Sequence, residues 1–251
     1  IKLQLIEKIK DPALCKAQLL EVAELAKSLE IEGVDKNALA AVPNAKTHCA
    51  TINYSYNSDD KLSNIKTHVT AKLEGTFEEL SQFGFGAADT RTYFVKSGTL
   101  SWTYFSDPDV DSCVIARHTG MGTETVQGSN TIGINPNGTL SGGYESSMTV
   151  NSDGSFSGKP VRVTVTITST RERAPVDPNN PDACDYITAA DLAPEEERHD
   201  IEVSIQGTSA NKLHLVGSYA PTYENTEDYV EDSHATFDIQ LPDKLTRVQT
   251  N

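Results

Sequence analysis

The sequence predicts a mainly β fold: an antiparallel β-sandwich, or a meander or barrel, of roughly ten strands behind an N-terminal helical segment. From Thr47 onward, apolar and polar residues alternate in several segments, whereas apolar residues before that point follow helical spacing. One buried and one solvated face is typical of antiparallel sheets. We therefore divide the chain into a helical segment, 1–42, and a β domain, 43–251.

The helical segment shows a start signal and one apolar stripe. Asp11 is suited to an N-cap, and Pro12 fits the first helical position because its fixed φ and missing N–H cost nothing there. Residues spaced by three and four positions form the stripe: Cys15, Leu19, Val22, Ala23, Ala26 and Leu29. This spacing predicts an amphipathic helix whose Cys15 faces the body of the protein.

Strands are predicted where the period is two, at 48–56, 65–73, 161–167, 201–205 and 235–241. A further hairpin is predicted around Ser97-Gly98, with Val95 opposite Leu100 on one face.

A local repeat indicates two more hairpins. Residues 134–142 and 150–158 share the order apolar, Asn, turn, Gly, hydroxyl, apolar, Ser, Gly. Their Asn-Gly and Asp-Gly steps supply the left-handed residues of tight turns.

Two long loops interrupt the predicted strands, at 172–199 and 220–233. The first contains four prolines and Cys184, and we expect a short helix around 188–197. The second is acidic and aromatic. Loops of this length in a compact domain are usually stapled, functional or disordered.

The four cysteines are widely spaced and form no C-x-x-C motif. We predict two disulfides, Cys113 with Cys184 and Cys15 with Cys49. The first pair joins two loop positions that each follow an Asp-Pro segment. The second requires the helix to cover the polar face on which Cys49 lies. Two disulfides predict an extracytoplasmic protein that is secreted, periplasmic or on the cell surface, and the alternative is four buried free thiols in a cytosolic protein.

The charge balance limits the partners. Against 21 Lys and Arg stand 36 Asp and Glu, a net charge of −15, so this acidic protein repels nucleic acid phosphates. No apolar run is long enough for a transmembrane segment. We expect a protein or a surface polysaccharide as partner.

A calcium site is one interpretation of Asp107, Asp109 and Asp111, because carboxylates at alternate positions can converge on a hard cation. An EF-hand would need Gly and Glu where this chain has Ser112 and His118, so calcium, the one cofactor that the sequence suggests, would bind in a loop of another kind. The other interpretation is an acidic surface turn.

A binding site is the second candidate, in the aromatic and acidic loop. Tyrosine offers a flat ring and a hydroxyl, which suit sugar or protein contacts, and the alternative is a solvated loop. The candidate residues are Tyr219, Tyr223, Glu224, Glu227, Asp228 and Tyr229.

Neither a G-x-S-x-G nor an H-E-x-x-H motif occurs in the sequence. We therefore expect a non-enzymatic exported module, an adhesin-like structural or binding protein of the cell envelope or the extracellular space that contacts a partner or polymer through loops. Two alternatives stay open. One is a secreted hydrolase that uses carboxylates of the 107–111 and 219–232 loops, and the other is a ligand carrier with a cavity inside a β-barrel.

Overall fold

The computed structural model describes residues 15–28, 48–79, 90–106, 113–126, 146–175 and 184–242, and the backbone alone of 109–110, 133–134 and 140–141. These residues form one helix and twelve strands: α1 (Lys16–Ser28), β1 (Ala50–Asp60), β2 (Ile65–Glu79), β3 (Thr90–Ser106), β4 (Asp109–Val110), β5 (Val114–Val126), β6 (Gly133–Ile134), β7 (Leu140–Ser141), β8 (Ser147–Asn151), β9 (Ser155–Arg173), β10 (Glu195–Thr208), β11 (His214–Tyr219) and β12 (Tyr229–Gln240).

Ten of the strands build one antiparallel sheet, which confirms the predicted mainly β class. The path runs β11-β12-β1-β2-β3-β8-β9-β5-β4; β5 also pairs with β3, and β10 pairs with β9. Strands β6 and β7 form a separate hairpin. The outer strands β10 and β11 approach each other without forming a ladder, so the sheet curls into a barrel. We call the line between β10 and β11 the barrel seam.

The helix covers one end of the barrel, which we call the closed end. Five side chains of the predicted stripe are buried: Cys15, Leu19, Val22, Ala23 and Ala26. The amide of Gln18 donates a hydrogen bond of 2.7 Å to the carbonyl of Leu241, just beyond β12. The helix prediction is confirmed for these residues, and Asp11, Pro12 and Leu29 lie outside the described residues.

Both predicted disulfides are present. Cys15 bonds Cys49, and Cys113 bonds Cys184. Cys49 precedes β1 and is buried beside the helix, so the alternation of the strand does not place it on the polar face. The Cys113–Cys184 disulfide lies at the other end of the barrel, where β5 begins and β9 ends.

The hairpin predicted at Ser97-Gly98 is wrong, because β3 runs through both residues. A β-bulge explains the pattern: Thr76 opposes Ser97 but the next residue of β2 opposes Val95, which leaves Lys96 as the extra residue. A bulge shifts the alternation of buried and exposed residues by one position. A turn can shift it in the same way, so the two cannot be told apart from the sequence pattern.

The glycine of that false turn has a packing role. Gly98 opposes Gly75 of β2, and a Cβ atom on Gly75 would lie 2.7 Å from the carbonyl oxygen of Ser97. The two backbones therefore approach too closely for a side chain, which is a common reason for glycine inside a strand.

The repeat does form two hairpins of the same register. Ile134 pairs with Leu140, and Val150 pairs with Phe156. Gly154 has φ of +88°, the left-handed conformation that the Asp-Gly step predicts.

The long loops are shorter than predicted. The stretch between β9 and β10 is 174–194 rather than 172–199, and the one between β11 and β12 is 220–228 rather than 220–233. The helix predicted around 188–197 is wrong: residues 188–194 are turns and irregular backbone, and Glu195–Glu197 begin β10 opposite Ser169–Ile167. Pairing with β9 overrides the low strand propensity of three successive glutamates. Within the described residues, no helix is both long and apolar enough to cross a membrane.

Candidate functional site

The barrel interior changes from apolar to polar toward the end opposite α1, which we call the polar end. Alternate residues of a strand face the same side, so each strand can be followed along its inner face. Three strands show the change most clearly: Ile52, Tyr54, Tyr56 in β1; Ile201, His199, Glu197 in β10; and Trp102, Tyr104, Ser106 in β3. The polar side chains therefore continue the core face instead of belonging to the outer surface.

A cleft of about 300 Å³ opens at the polar end along the barrel seam. Four tyrosines line it, Tyr54 and Tyr56 from β1, Tyr219 from β11 and Tyr223 from the segment that follows. Its remaining walls are residues of β10 together with Val69, Pro221, Ser233 and Ala235. We call this site the tyrosine cleft.

Hydrogen bonds hold the tyrosine hydroxyls in place. Tyr56 donates to the Glu231 carboxylate at 2.7 Å, and the Tyr229 hydroxyl lies 3.5 Å from that of Tyr56. The hydroxyls of Tyr223 and Ser233 are 2.8 Å apart. The rings of Tyr56 and Tyr223 are therefore held in place before any ligand binds, which lowers the entropy cost of binding.

The 220–228 segment, which forms one wall, is bonded to its neighbours. The side chain of Asn225 accepts from the N–H of Glu231 at 2.7 Å and donates to its carbonyl at 3.2 Å. Lys61 reaches the other side of the segment: its N–H donates to the carbonyl of Asp228 and its ammonium to that of Glu227. The wall is thus part of the barrel framework.

The electrostatic environment of the cleft is negative. Burial, followed by the neighbouring Tyr223, Glu202 and Glu231, raises the pKa of Tyr54 to about 12, although a hydrogen bond with Ser233 opposes this shift. The pKa of Tyr56 is also raised, first by burial and then by its hydrogen bonds to Tyr229 and Glu231. Both phenols stay protonated at neutral pH, as hydrogen-bond donors beside carboxylates.

Strand β10 borders the cleft with its edge. Four consecutive residues, His199, Asp200, Ile201 and Glu202, line the cleft, as does Ser204. Neighbouring residues of a strand point to opposite faces, so a cavity that all of them touch must run along the strand edge. Within the described part of the chain, β10 pairs only with β9, which leaves this edge without a ladder.

A half-buried polar cluster also lies at the polar end. His118 Nδ1 is 3.5 Å from the Glu197 carboxylate, and the rings of His199 and Tyr104 pack edge to face at 4.6 Å. Burial lowers the pKa of His199, although Asp200 opposes this shift. The buried hydroxyls of Ser106 and Ser169 have no hydrogen-bond partner among the described residues.

The sequence-predicted binding residues divide into two groups. Tyr219 and Tyr223 line the tyrosine cleft, and Tyr229 lies beside it against Tyr56. Three acids of the same set are exposed and do not line the cleft: Glu224, Glu227 and Asp228.

Sequence reasoning missed Tyr54, Tyr56 and His199. The signal for the first two was an apolar strand face that ends in two tyrosines, Ile52-x-Tyr54-x-Tyr56. His199 had no usable signal, because the sequence placed it in a loop with a short helix.

The calcium prediction stays a prediction. Asp107 and Asp111 lie outside the described residues, and only the backbone of Asp109 is described, where it pairs with Ala116. Among the residues whose side chains are described, no group of three His, Cys, Asp or Glu could hold a metal ion.

Comparison with known proteins adds nothing to this geometry: no family model, no curated protein and no solved structure matches the chain. The class that the fold itself defines is an antiparallel β-barrel with two disulfides, a helix at one end and a tyrosine-lined cleft at the other.

Proposed function

We propose that this protein is an exported, non-enzymatic binding module that holds one unit of an extended polymer, a peptide or a surface polysaccharide, in the tyrosine cleft. The observation that carries the proposal is the convergence of four tyrosines from two distant parts of the chain on one cleft. Tyrosine combines a large apolar ring, few rotatable bonds and a polar tip, which suits it to recognition surfaces.

The composition of the cleft supports binding of a ligand that is partly polar. Val69, Pro221 and Ala235 supply apolar contact, while Ser204, Ser233 and the tyrosine hydroxyls can orient a ligand by hydrogen bonds. Pockets that bind ligands commonly combine an apolar lining with a few placed polar groups.

Export rests on the two disulfides, which are typical of an oxidising compartment outside the cytoplasm. They join residues 34 and 71 positions apart and tie down both ends of the barrel.

The hydrolase alternative has less support. It required acids of the 107–111 and 219–232 loops to converge in a cleft. Glu224, Glu227 and Asp228 are exposed and do not line the cleft, Glu231 is bonded to Tyr56, and the side chains of 107–111 lie outside the described residues. The carrier alternative required a cavity in the barrel centre, where side chains such as Leu100, Trp102 and Val161 form the core.

The test uses the full chain, immobilised and presented with a panel of surface polysaccharides and a random peptide library. Tyr54→Ala removes a central ring of the cleft, and Tyr186→Ala, at a side chain 66% exposed outside the cleft, is the matched control. We expect at least about a tenfold loss of retention for Tyr54→Ala and none for the control. Retention of neither ligand class, or equal retention by both variants, would contradict the proposal.

A further inference from the structure

We infer that the ligand of the tyrosine cleft is an extended peptide, which adds as a strand to the free edge of β10 and places a Lys or Arg side chain among the tyrosines. This inference rests on the proposed function and names its ligand class.

First, the edge of β10 that faces the cleft is available for pairing. The cleft touches consecutive β10 residues from His199 to Glu202, so its long wall is a strand edge and not a strand face. Every second N–H and C=O of a strand with one ladder points away from that ladder. Such an edge is a template for one more strand, and peptide recognition by strand addition uses this row of main-chain hydrogen bonds.

The second step is the dimension of the wall. Residues 199–202 and 204 of β10 border the cleft, and the six residues from 199 to 204 extend over about 20 Å of strand. Inward-facing side chains of an added strand would be directed toward the barrel interior, where Tyr54, Tyr56 and Tyr223 lie. Outward-facing side chains would lie beside Asp200 and Glu202.

The third step is charge. Among the described residues that line the cleft there is neither Lys nor Arg, whereas Asp200 and Glu202 line it and Glu231 accepts a hydrogen bond from Tyr56. Lys159 already neutralises Glu202 at 2.6 Å, so Asp200 and Glu231 contribute most of the remaining negative potential. Tyrosine rings beside carboxylates attract an ammonium or guanidinium group by cation–π and Coulomb interactions.

The fourth step excludes a second copy of this chain as the occupant. The β10 sequence Glu195-Glu196-Glu197-Arg198-His199-Asp200-Ile201-Glu202 is strongly acidic. Antiparallel pairing of two such edges would bring carboxylates opposite carboxylates, which is destabilising. A basic strand is complementary to the same edge. A saccharide could stack on the rings, but it would leave the main-chain groups of β10 without a ladder.

The experiment measures binding to the intact, oxidised chain by titration calorimetry. The probe is a nonapeptide of alternating Val and Thr with a central Lys. Two derivatives carry N-methyl groups on every second backbone nitrogen, the first at the odd and the second at the even positions. A third derivative has norleucine in place of Lys. N-acetyl-lysine amide serves as a probe for the amine alone. N-methylation in at least one register should weaken binding about tenfold or more, because it removes ladder hydrogen bonds. Norleucine should weaken it about two- to thirtyfold.

A matched pair of protein variants locates the cation. Glu231→Gln should reduce the preference for Lys over norleucine, and Glu224→Gln, at an exposed acid that does not line the cleft, should leave it unchanged. A peptide with a ¹³C-labelled carbonyl should show the infrared shift of a β-ladder on binding.

Three results would overturn the inference. If N-methylation in neither register matters, or N-acetyl-lysine amide binds as tightly as the peptide, there is a cation pocket but no strand addition. If only polysaccharides bind and Tyr54→Ala abolishes that binding, the ligand class is wrong and the proposed function stands. If no probe of either class binds, the proposed function fails as well.

Discussion

The two ends of the barrel use the same hydrogen-bonded ladders for different purposes. At the closed end, Ile52, Leu73 and Ile239 belong to the buried core, and the Cys15–Cys49 disulfide joins the helical segment to this end. At the polar end, the same strands carry Tyr56, Thr67 and Ser233 on the same inner face. Strand pairing does not depend on this change in side chains, because the hydrogen bonds of the ladder are made by the backbone. Side-chain volume and polarity decide whether an end becomes core or cleft.

The two ends also differ in how fully their polar groups are paired. The closed end is packed with side chains and covered by a helix through the bond from Gln18 to Leu241. The polar end contains buried hydroxyls without described partners, a histidine with a lowered pKa and an unpaired strand edge. Unsatisfied groups of this kind cost stability, and they concentrate where a protein binds something.

The largest effects should come from the disulfides, one at each end. If a disulfide stabilises by lowering the entropy of the unfolded chain, replacing Cys113 and Cys184 by Ser should lower the free energy of unfolding by about 4 kcal/mol. Replacing Cys15 and Cys49 by Ser should lower it slightly less, because this disulfide closes a shorter loop. Urea denaturation measures both losses.

Amide hydrogen exchange should separate the two disulfides. Loss of Cys15–Cys49 should raise exchange in α1 selectively, because the helix then loses its covalent link to the residue that precedes β1. Equal loss of protection in α1 in both double variants would contradict the assignment of one disulfide to each end.

A smaller difference is expected between two buried positions of β12. Ile239→Ala at the closed end removes a fully buried side chain and should cost about 2–5 kcal/mol. Ser233→Ala at the polar end removes the hydroxyl bonded to Tyr223 and should cost about 1 kcal/mol. Chemical denaturation with a common m-value measures both. Similar losses would mean that the two ends do not differ in packing as described.

The smallest effect concerns pH and His199. Because burial lowers the pKa of the folded imidazole, the unfolded chain binds a proton that the folded chain does not. The free energy of unfolding is therefore unaffected by His199 above the ordinary histidine pKa, about 6.5, and it declines as the pH falls below that value. His199→Gln should flatten the stability curve between about pH 6.5 and 5.

That window is separated from the titration of the turn carboxylates. Asp60, Asp153 and Asp191 have lowered pKa values because Ser or Thr groups donate hydrogen bonds to them. Their contributions are present above the ordinary aspartate pKa, about 4, and are lost only below it. Parallel curves for the wild-type chain and the His199→Gln variant between pH 6.5 and 5 would disprove the role given to His199.

Half of the cleft could be predicted from the sequence. Tyr219 and Tyr223 were found because they are close together in one aromatic, acidic segment. Tyr54 and Tyr56 lie more than 160 positions earlier, and only the pairing of β1 with β12 brings them to the same wall. Local patterns contain no information on pairing between such distant segments, so this convergence was not predictable.

The alternating strands, the repeated Gly turns, the stripe of α1 and the disulfide pairs could be predicted from the sequence, because each depends on local periodicity or on a small set of cysteines. The folded barrel decides that β3 runs through Ser97-Gly98 with a bulge at Lys96 instead of a turn, and that Glu195–Glu197 form a strand. It also decides that β10 and β11 meet without pairing. Each of these outcomes depends on which distant backbone lies opposite, and that choice is made by the packing of the whole barrel.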